Sequence, residues 1–472
     1  MFNSFPTLRL NSIKKYTSKK GIVSTRANDV KETIEHVTPL CDRIGVTRIA
    51  DITYLDKLCI PNYSTVLPGT EDFFWVYSGK GPTKSHAKAS ALMESIERYC
   101  SLPSKSFLNP IHGNYPELSK SHNKVLHSDE VIEPTQLNYN VKESIIDYLP
   151  GFDLLNNEEI LVPAELVFSR YFPKSPSING FLYSHTNGLA SGNVIEEAIC
   201  QALCELIERD AVSIADLCAS SIPYSILKGM TNSLMQKGND TVKFLQVDWD
   251  EFTDDPSIFP DVDITDIARQ FEPIKFLVDR FTYAGINLMI KDITQKDIGI
   301  PTFAASSIEW ISSNYGYFAI GYGTHLDSRI ALIRAITELT QTRAINIQGA
   351  RDDCKKIEYK ENDEIYKRKW QFMPTTSSLS HPSNKKTIAF SEIKSYVMDD
   401  ILDDIKFILN NLKKAGLKRA IMVDLTHPKL GVPVVRMIVP GLETFEVARL
   451  YTDTELFMGK RAKSYFHNLL SS

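Results

Sequence analysis

The sequence predicts an α/β (α+β) protein with large mixed sheets flanked by helices. Three observations lead there. Segments that read as strands and segments that read as helices alternate, but irregularly, along the chain. At 472 residues the chain can bury a large core and more than one layered unit. Its 43% hydrophobic and 24% charged residues are the ordinary globular mix.

Taken in order, residues 1–21 carry Arg9, Lys14, Lys15, Lys19 and Lys20 without the continuous apolar stretch of a signal peptide. Residues 1–25 are therefore expected to be a variable leader, loose or locally packed. Residues 28–40 read as a helix capped by Asn28 or Asp29, with Thr33, Ile34 and Val37 turned inward. Residues 44–60 alternate like strands, and 73–77 read as a short aromatic strand. The glycines of Ser78-Gly-Lys-Gly-Pro82 predict a loop, followed by a helix from about 83 to 100. Residues 104–147 are polar and loop-rich, and strands follow near 148–153 and 159–162. Residues 184–192 read as a turn before a helix at 194–219. An acid-rich surface loop is expected at 253–266, core strands at 287–293 and 302–310, and a long amphipathic helix at 327–349. The charged stretch 354–395 predicts mobile surface. A helix (398–415) and two strands (419–424, 432–439) complete the pattern.

A net charge of −5 argues against broad nucleic-acid binding. No apolar run reaches the length of a membrane span, so a cytoplasmic location is expected. The seven cysteines are odd in number, widely spaced and without a Cys-x-x-Cys pair, as in a protein with reduced thiols. Cys200 and Cys204, one helical turn apart, read as small buried residues, since no nearby His or Cys completes a metal set.

The chemistry is concentrated in two look-alike helices. The first contains Glu94-Ser-Ile-Glu97-Arg98. The second runs from Glu197 to Glu205-Leu-Ile-Glu208-Arg209-Asp210. Acids three apart share a helix face. A helix that needed only solubility would spread its acids over its wet side, whereas here they sit among apolar residues. Carboxylates gathered so are what Mg²⁺ and a polyphosphate require. Glu197 and Glu208 point nearly the same way but lie about 16 Å apart along the axis, so Glu197 either orients a neighbouring group or meets a second cation. The repeated pattern hints at an internal duplication. The competing explanation is a solvated face with Glu–Arg pairs four apart, and two matching helices beside glycine-rich turns weaken it.

A third helix places Arg334, Glu338 and Gln341 on one face, fit to hold a phosphate, a ribose or a peptide amide. Lys80, between two glycines and before a helix N-terminus, suits a phosphate seat, although a plain loop lysine is the commoner case. Gly321-Tyr-Gly323 is too short for a phosphate loop. Neither a Walker-type loop nor a kinase motif set is present. Phe73, Phe74 and Trp75 suit core packing better than an adenine pocket.

As an ordered set these motifs resemble the YcaO family from about Arg26 to Lys460. The matching stretches are Ser78-Gly-Lys-Gly with Ser90-x-x-x-Glu94-x-x-Glu97-Arg98, Asn187-Gly-Leu-Ala-Ser-Gly192 with Glu196-Glu197-Ala198, and Glu205-x-x-Glu208-Arg209-Asp210. They continue with Arg334-Ala-x-Thr-Glu338-x-x-Gln341-x-Arg343, Gly349-Ala-Arg-Asp-Asp353 and Pro433-Val-Val-Arg-Met-Ile-Val-Pro-Gly441-Leu-Glu443. The resemblance implies a YcaO-type catalytic domain at 26–472, with the ATP site between helices and ATP and Mg²⁺ as cofactors. Glu94, Glu97, Glu197, Glu205 and Glu208 match the family's metal ligands. Arg26, Thr33, Lys80, Ser90, Asn187, Arg209, Arg334 and Glu338 match positions that contact nucleotide, with Arg209 and Arg334 stabilising the transition state.

The run from Arg43-Ile-Gly-Val-Thr-Arg48 to Ile60-Pro61 resembles the branch of methanogens and TfuA-associated clusters. The proline-free end, Ser464 to Ser472, also tilts toward thioamide formation. The implied reaction activates a backbone amide of a peptide or protein substrate by O-phosphorylation while sulfide replaces the oxygen. A sulfide donor and a TfuA-like protein are the implied partners, and a homodimer is compatible with the family. Two other readings are an azoline-forming cyclodehydratase and, in another class, a nucleotide-binding regulator without catalysis.

Overall fold

A computed structural model describes residues 9–17, 24–70, 75–121, 124–131, 145–169, 171, 186–219, 259–312, 315–349, 359–360, 387–443 and 461. The fold is α+β and divides into two compact units, one of residues 1–52, 61–206 and 397–442, the other of 53–60, 207–396 and 443–472.

Unit 1 contains a three-stranded antiparallel sheet of β1 (Arg48–Asp51), β2 (Asn62–Val66) and β3 (Val76–Lys80). A second sheet has the order β4 (Ile111–Gly113), β5 (Ile146–Asp153), β14 (Ile421–Asp424), β15 (Val434–Ile438), β7 (Leu189–Ser191), with β6 (Glu158–Pro163) paired to β5. The expected helix at 28–40 spans Val30–Ile44. Asp29 caps it by accepting from the Lys31 N–H, and Thr33 and Val37 are buried as expected. It continues through Pro39, where sequence rules would stop it, because Leu40 and Cys41 are part of the unit's core. Gly45, at φ 101°, ends it.

The first acidic helix, Lys84–Cys100, starts at its cap Thr83. The segment Ser78–Lys80 before it is strand, not the predicted loop. The glycine signal there has another cause: a Cβ on Gly79 would lie 2.1 Å from the Ala91 nitrogen, so the bare backbone lets helix and strand meet. The predicted turn before the second acidic helix, Ile195–Ala219, likewise contains strand β7, while residues 184–185 lie outside the described residues. Within 104–147, read as loop, are β4 and the helix Tyr115–Ser121. Of the leader expected at 1–25, residues 9–17 are packed in place: Lys15 is buried and its ammonium meets Asp404, on the helix Ile401–Lys414, at 2.5 Å.

Unit 2 is built on a sheet of order β12 (Tyr359–Lys360), β11 (Tyr315–Thr324), β10 (Thr302–Ser312), β9 (Asn287–Asp292), β8 (Asp261–Asp263), β13 (Thr387–Ala389), antiparallel except for β13 with β8. The helix Ser328–Gly349 lies on β11. It is not amphipathic: Ala331, Leu332, Ile333, Ala335, Ile336 and Thr337 are buried on successive faces. Gly321 and Gly323 permit this, since a Cβ on either would lie 2.0–2.1 Å from helix backbone. The predicted surface loop at 253–266 holds β8 and the start of a helix, Thr265–Gln270. Of the stretch 354–395, predicted as mobile surface, residues 359–360 and 387–395 are described and supply β12, β13 and the core residue Phe390, and the rest lies outside the described residues.

An antiparallel strand pair followed by a helix seated on strand glycines recurs at the helices Lys84–Cys100 and Ser328–Gly349. Among the described residues no helix is long and apolar enough to cross a membrane.

Candidate nucleotide and metal site

In unit 1, Glu94 and Glu97 project from the first acidic helix toward groups on other elements. Glu94 accepts from Arg98 Nη2 at 3.4 Å and from the Ser78 N–H. Glu97 Oε2 accepts from the Ser191 N–H at 3.1 Å on β7, with the Ser191 hydroxyl at 3.4 Å. Burial raises the Glu94 carboxyl above its usual range, opposed by Arg98 and Lys80. Glu97 is raised as well. Burial first, then the charges of Glu94 and Glu205, push it to about 8 against the pull of Arg98 and the Ser191 N–H. Three half-buried carboxylates from two helices thus lie close enough for Glu94 and Glu205 to act on Glu97.

Arg436, absent from the sequence-derived site, belongs to this group. It is 3% exposed on β15 and donates from Nε to Leu166 O at 3.0 Å. Burial pushes its guanidinium down to about 10, while Glu205 and Glu97 hold it charged. A signal was available: every position of Val434–Ile438 is buried, and one of the five is an arginine.

The expected Arg26, Thr33 and Glu197 come together in the same unit. Glu197 is 3% exposed and accepts from Arg26 Nη1 and the Ala27 N–H, each at 3.0 Å, and from Asn193 Nδ2 at 3.0–3.1 Å. Thr33 donates to Asn193 Oδ1 at 2.8 Å. Glu197 thus ties Arg26, Ala27 and Asn193 together. Lys80 ends β3, Ser90 is half-buried one turn before Glu94, and Asn187 lies in the turn before β7.

In unit 2, Arg209 Nη2 lies 3.2 Å from Glu208 Oε1 and 3.9 Å from Glu338 Oε1. Glu338 also accepts from the Tyr322 N–H at 3.4 Å, and Arg334 donates to Thr324 O at 2.9 Å. Glu208 is buried. Behind Arg209, the fully buried Asp210 accepts from Arg461 Nε at 3.0 Å and from the Glu443 N–H at 2.9 Å, contacts invisible in sequence because over two hundred residues separate the partners. Cys200 and Cys204 are both buried, as expected. Trp75 is 48% exposed rather than packed in the core, and Phe73 and Phe74 lie outside the described residues.

The donors suit Mg²⁺. Among the described residues no three metal-binding side chains form a ready cage. Mg²⁺ does not need one, because it takes one or two carboxylates and completes its shell with phosphate oxygens and water. The like charges that raise Glu97 are relieved by a cation.

Known proteins resemble this chain along most of its length. The family model described as YcaO cyclodehydratase, ATP- and Mg²⁺-binding, matches residues 78–443. An uncharacterised protein of Methanothermobacter thermautotrophicus is 32% identical over 88% of this chain and 94% of its own length. An uncharacterised protein "in tfuA 3'region" of Rhizobium leguminosarum bv. trifolii is 28% identical over 89% of this chain and 88% of its own. Among solved structures, the YcaO protein of Methanopyrus kandleri bound with AMPPCP and Mg²⁺ matches 92% of this chain and 96% of that one, at a TM-score of 0.60 and 20% identity. A heterocyclase in complex with substrate and cofactor matches 93% of this chain at 0.66 and 21% identity; this chain spans only 55% of that protein. The chain belongs to the YcaO family, with ATP and Mg²⁺ as its cofactors.

Proposed function

We propose that this protein activates a backbone amide of a peptide or protein by O-phosphorylation from ATP and adds sulfide to give a thioamide. The observation that carries the amide-activating reading is the trio Glu94, Glu97 and Glu205 on two helices: burial first, then the charges of Glu94 and Glu205, raise Glu97 to about 8, and a cation would hold it ionised. The relative named for the tfuA region supports a TfuA-like partner and, with it, the thioamide branch; that branch would also require a sulfide donor.

In the proposed reaction sulfide forms the S–C bond. The amide oxygen takes the γ-phosphoryl group, and the C–O bond breaks as phosphate departs with that oxygen. The products are C=S, ADP and phosphate, with no net redox change. Bound Mg²⁺ supplies neutralisation of the phosphate charges. Glu94, Glu97, Glu205 and Glu208 would hold it, and Glu197 would hold Arg26 toward the nucleotide. Arg209 and Arg334 would stabilise charge on the transferred group. Thr33, Lys80, Ser90, Asn187 and Glu338 would contact nucleotide.

The family description, cyclodehydratase, favours a second reading in which a Cys, Ser or Thr of the substrate is the nucleophile and an azoline forms. Phosphate release from Mg-ATP, measured with candidate peptides with and without sulfide, separates the readings. Release that needs both supports thioamide formation. Release with peptide alone supports the azoline. Nucleotide binding without release under either condition sinks both.

A further inference from the structure

The segment 9–17 has no role in the reading above, yet it is bonded along its length. Its backbone runs beside the start of the helix Ile401–Lys414: Ile401 N–H donates to Ile13 O at 2.9 Å, and Lys15 N–H to Asp399 O at 2.8 Å. Asp400 accepts from the Ile13 N–H at 3.2 Å and from the Ser12 hydroxyl. At its near end, Asn11 N–H donates to Glu196 Oε1 at 2.6 Å, on the first turn of the second acidic helix. At its far end, Tyr16 N–H donates to Arg26 O at 2.7 Å, and Ser24 N–H to Tyr16 O at 2.8 Å. The Tyr16 hydroxyl bonds Asp29, the cap of the helix Val30–Ile44. The anchor is Lys15. Its ammonium is 5% exposed, meets Asp404 Oδ2 at 2.5 Å and donates to Met398 O at 2.8 Å.

A lysine taken out of water needs such partners, and removing one strands the other. That is a large commitment for a leader without a task. What it immobilises is the backbone of Arg26, whose side chain is 41% exposed beyond its contact with Glu197 and has no other described tie. Arg26 is thus held from both sides: its carbonyl by the Tyr16 N–H and the Ser24 hydroxyl, its guanidinium by Glu197.

We infer that residues 9–17 are a strap that positions Arg26 for the nucleotide, with Lys15 as the positioning residue acting through Tyr16. The inference rests on the proposed nucleotide role of Arg26. The test is a double-mutant cycle on the full chain, reading affinity for Mg-AMPPCP by calorimetry. Lys15→Met is expected to weaken binding about tenfold, and Arg26→Ala to weaken it at least as much. The combination should be no weaker than Arg26→Ala alone. The pair Lys15→Met/Asp404→Met, which removes both charges, should restore most of the affinity and covers the case in which the single variant folds poorly. A purely structural role would lower the melting midpoint of Lys15→Met equally in both backgrounds without this coupling. Additive losses, or Lys15→Met binding like the parent while Arg26→Ala does not, overturn the strap alone. Unchanged binding in Arg26→Ala overturns the nucleotide role of Arg26 and the strap with it.

Discussion

Mg²⁺ can bind Glu97 only after its proton leaves, and the structure sets the cost. The carboxyl stands at about 8 against an ordinary 4.5. At pH 7 roughly nine in ten copies are protonated, and ionising one costs about 1.4 kcal/mol. The folded value is the higher one, so the metal-free protein loses stability as pH rises from 4.5 through about 8. A cation that captures the carboxylate reverses that loss. Loading with Mg²⁺ at pH 7 should then release about 0.9 proton from Glu97, and affinity should rise about tenfold per pH unit up to about pH 8. Calorimetry of Mg-AMPPCP binding in two buffers of different ionisation heat counts the protons. The nucleotide's own titration cancels when the parent is compared with Glu97→Gln. Equal proton release from the two proteins refutes the reasoning, because Glu97 would then be ionised already or would not meet the metal.

Other perturbations follow from the packing. Gly321→Ala sets a methyl 2.0 Å from the Leu339 nitrogen and should cost about 3 kcal/mol or more in urea unfolding, whereas Gly349→Ala, with nothing within 4 Å, should stay within about 0.5 kcal/mol. Arg343, 2% exposed, bonds Asp56 at 2.7 and 2.9 Å and Glu309 at 2.9 Å, so Asp56→Ala should cost about 3–5 kcal/mol and depress the thermal midpoint without altering the proton count above. Arg436→Met removes the buried positive charge beside Glu97 and Glu205. Its unfolding free energy should fall more at pH 8.5 than at pH 6, where Glu97 carries its own proton, and an equal loss at both would contradict the pairing.

The elements that sequence made legible are those whose signals are local. Asp29, one of the two caps the sequence offered, announced its helix because caps act within a turn. Glu94, Glu97, Glu205 and Glu208 stood out because the acids share short apolar stretches, and the structure finds all four half-buried or buried. Signals with two physical causes were misread. Glycines 79 and 81 suggested a loop, but Gly79 answers to a helix lying across a strand, a tertiary demand. Residues 327–349 carry apolar side chains that looked like one stripe, and burial on several faces is visible only once β11 is in place. Arg436, Arg461 and Lys15 escaped because each owes its role to partners far away in sequence: Leu166, Asp210 and Asp404.

The central claim is the replacement of a backbone amide oxygen by sulfur. It is tested most directly by intact-mass and fragment mass spectrometry of candidate protein substrates incubated with this enzyme, Mg-ATP, sulfide and a TfuA-like partner. The account predicts a mass gain equal to sulfur in place of oxygen, localised to one backbone position and absent without ATP. Loss of one water instead would establish dehydration to an azoline and contradict the thioamide assignment.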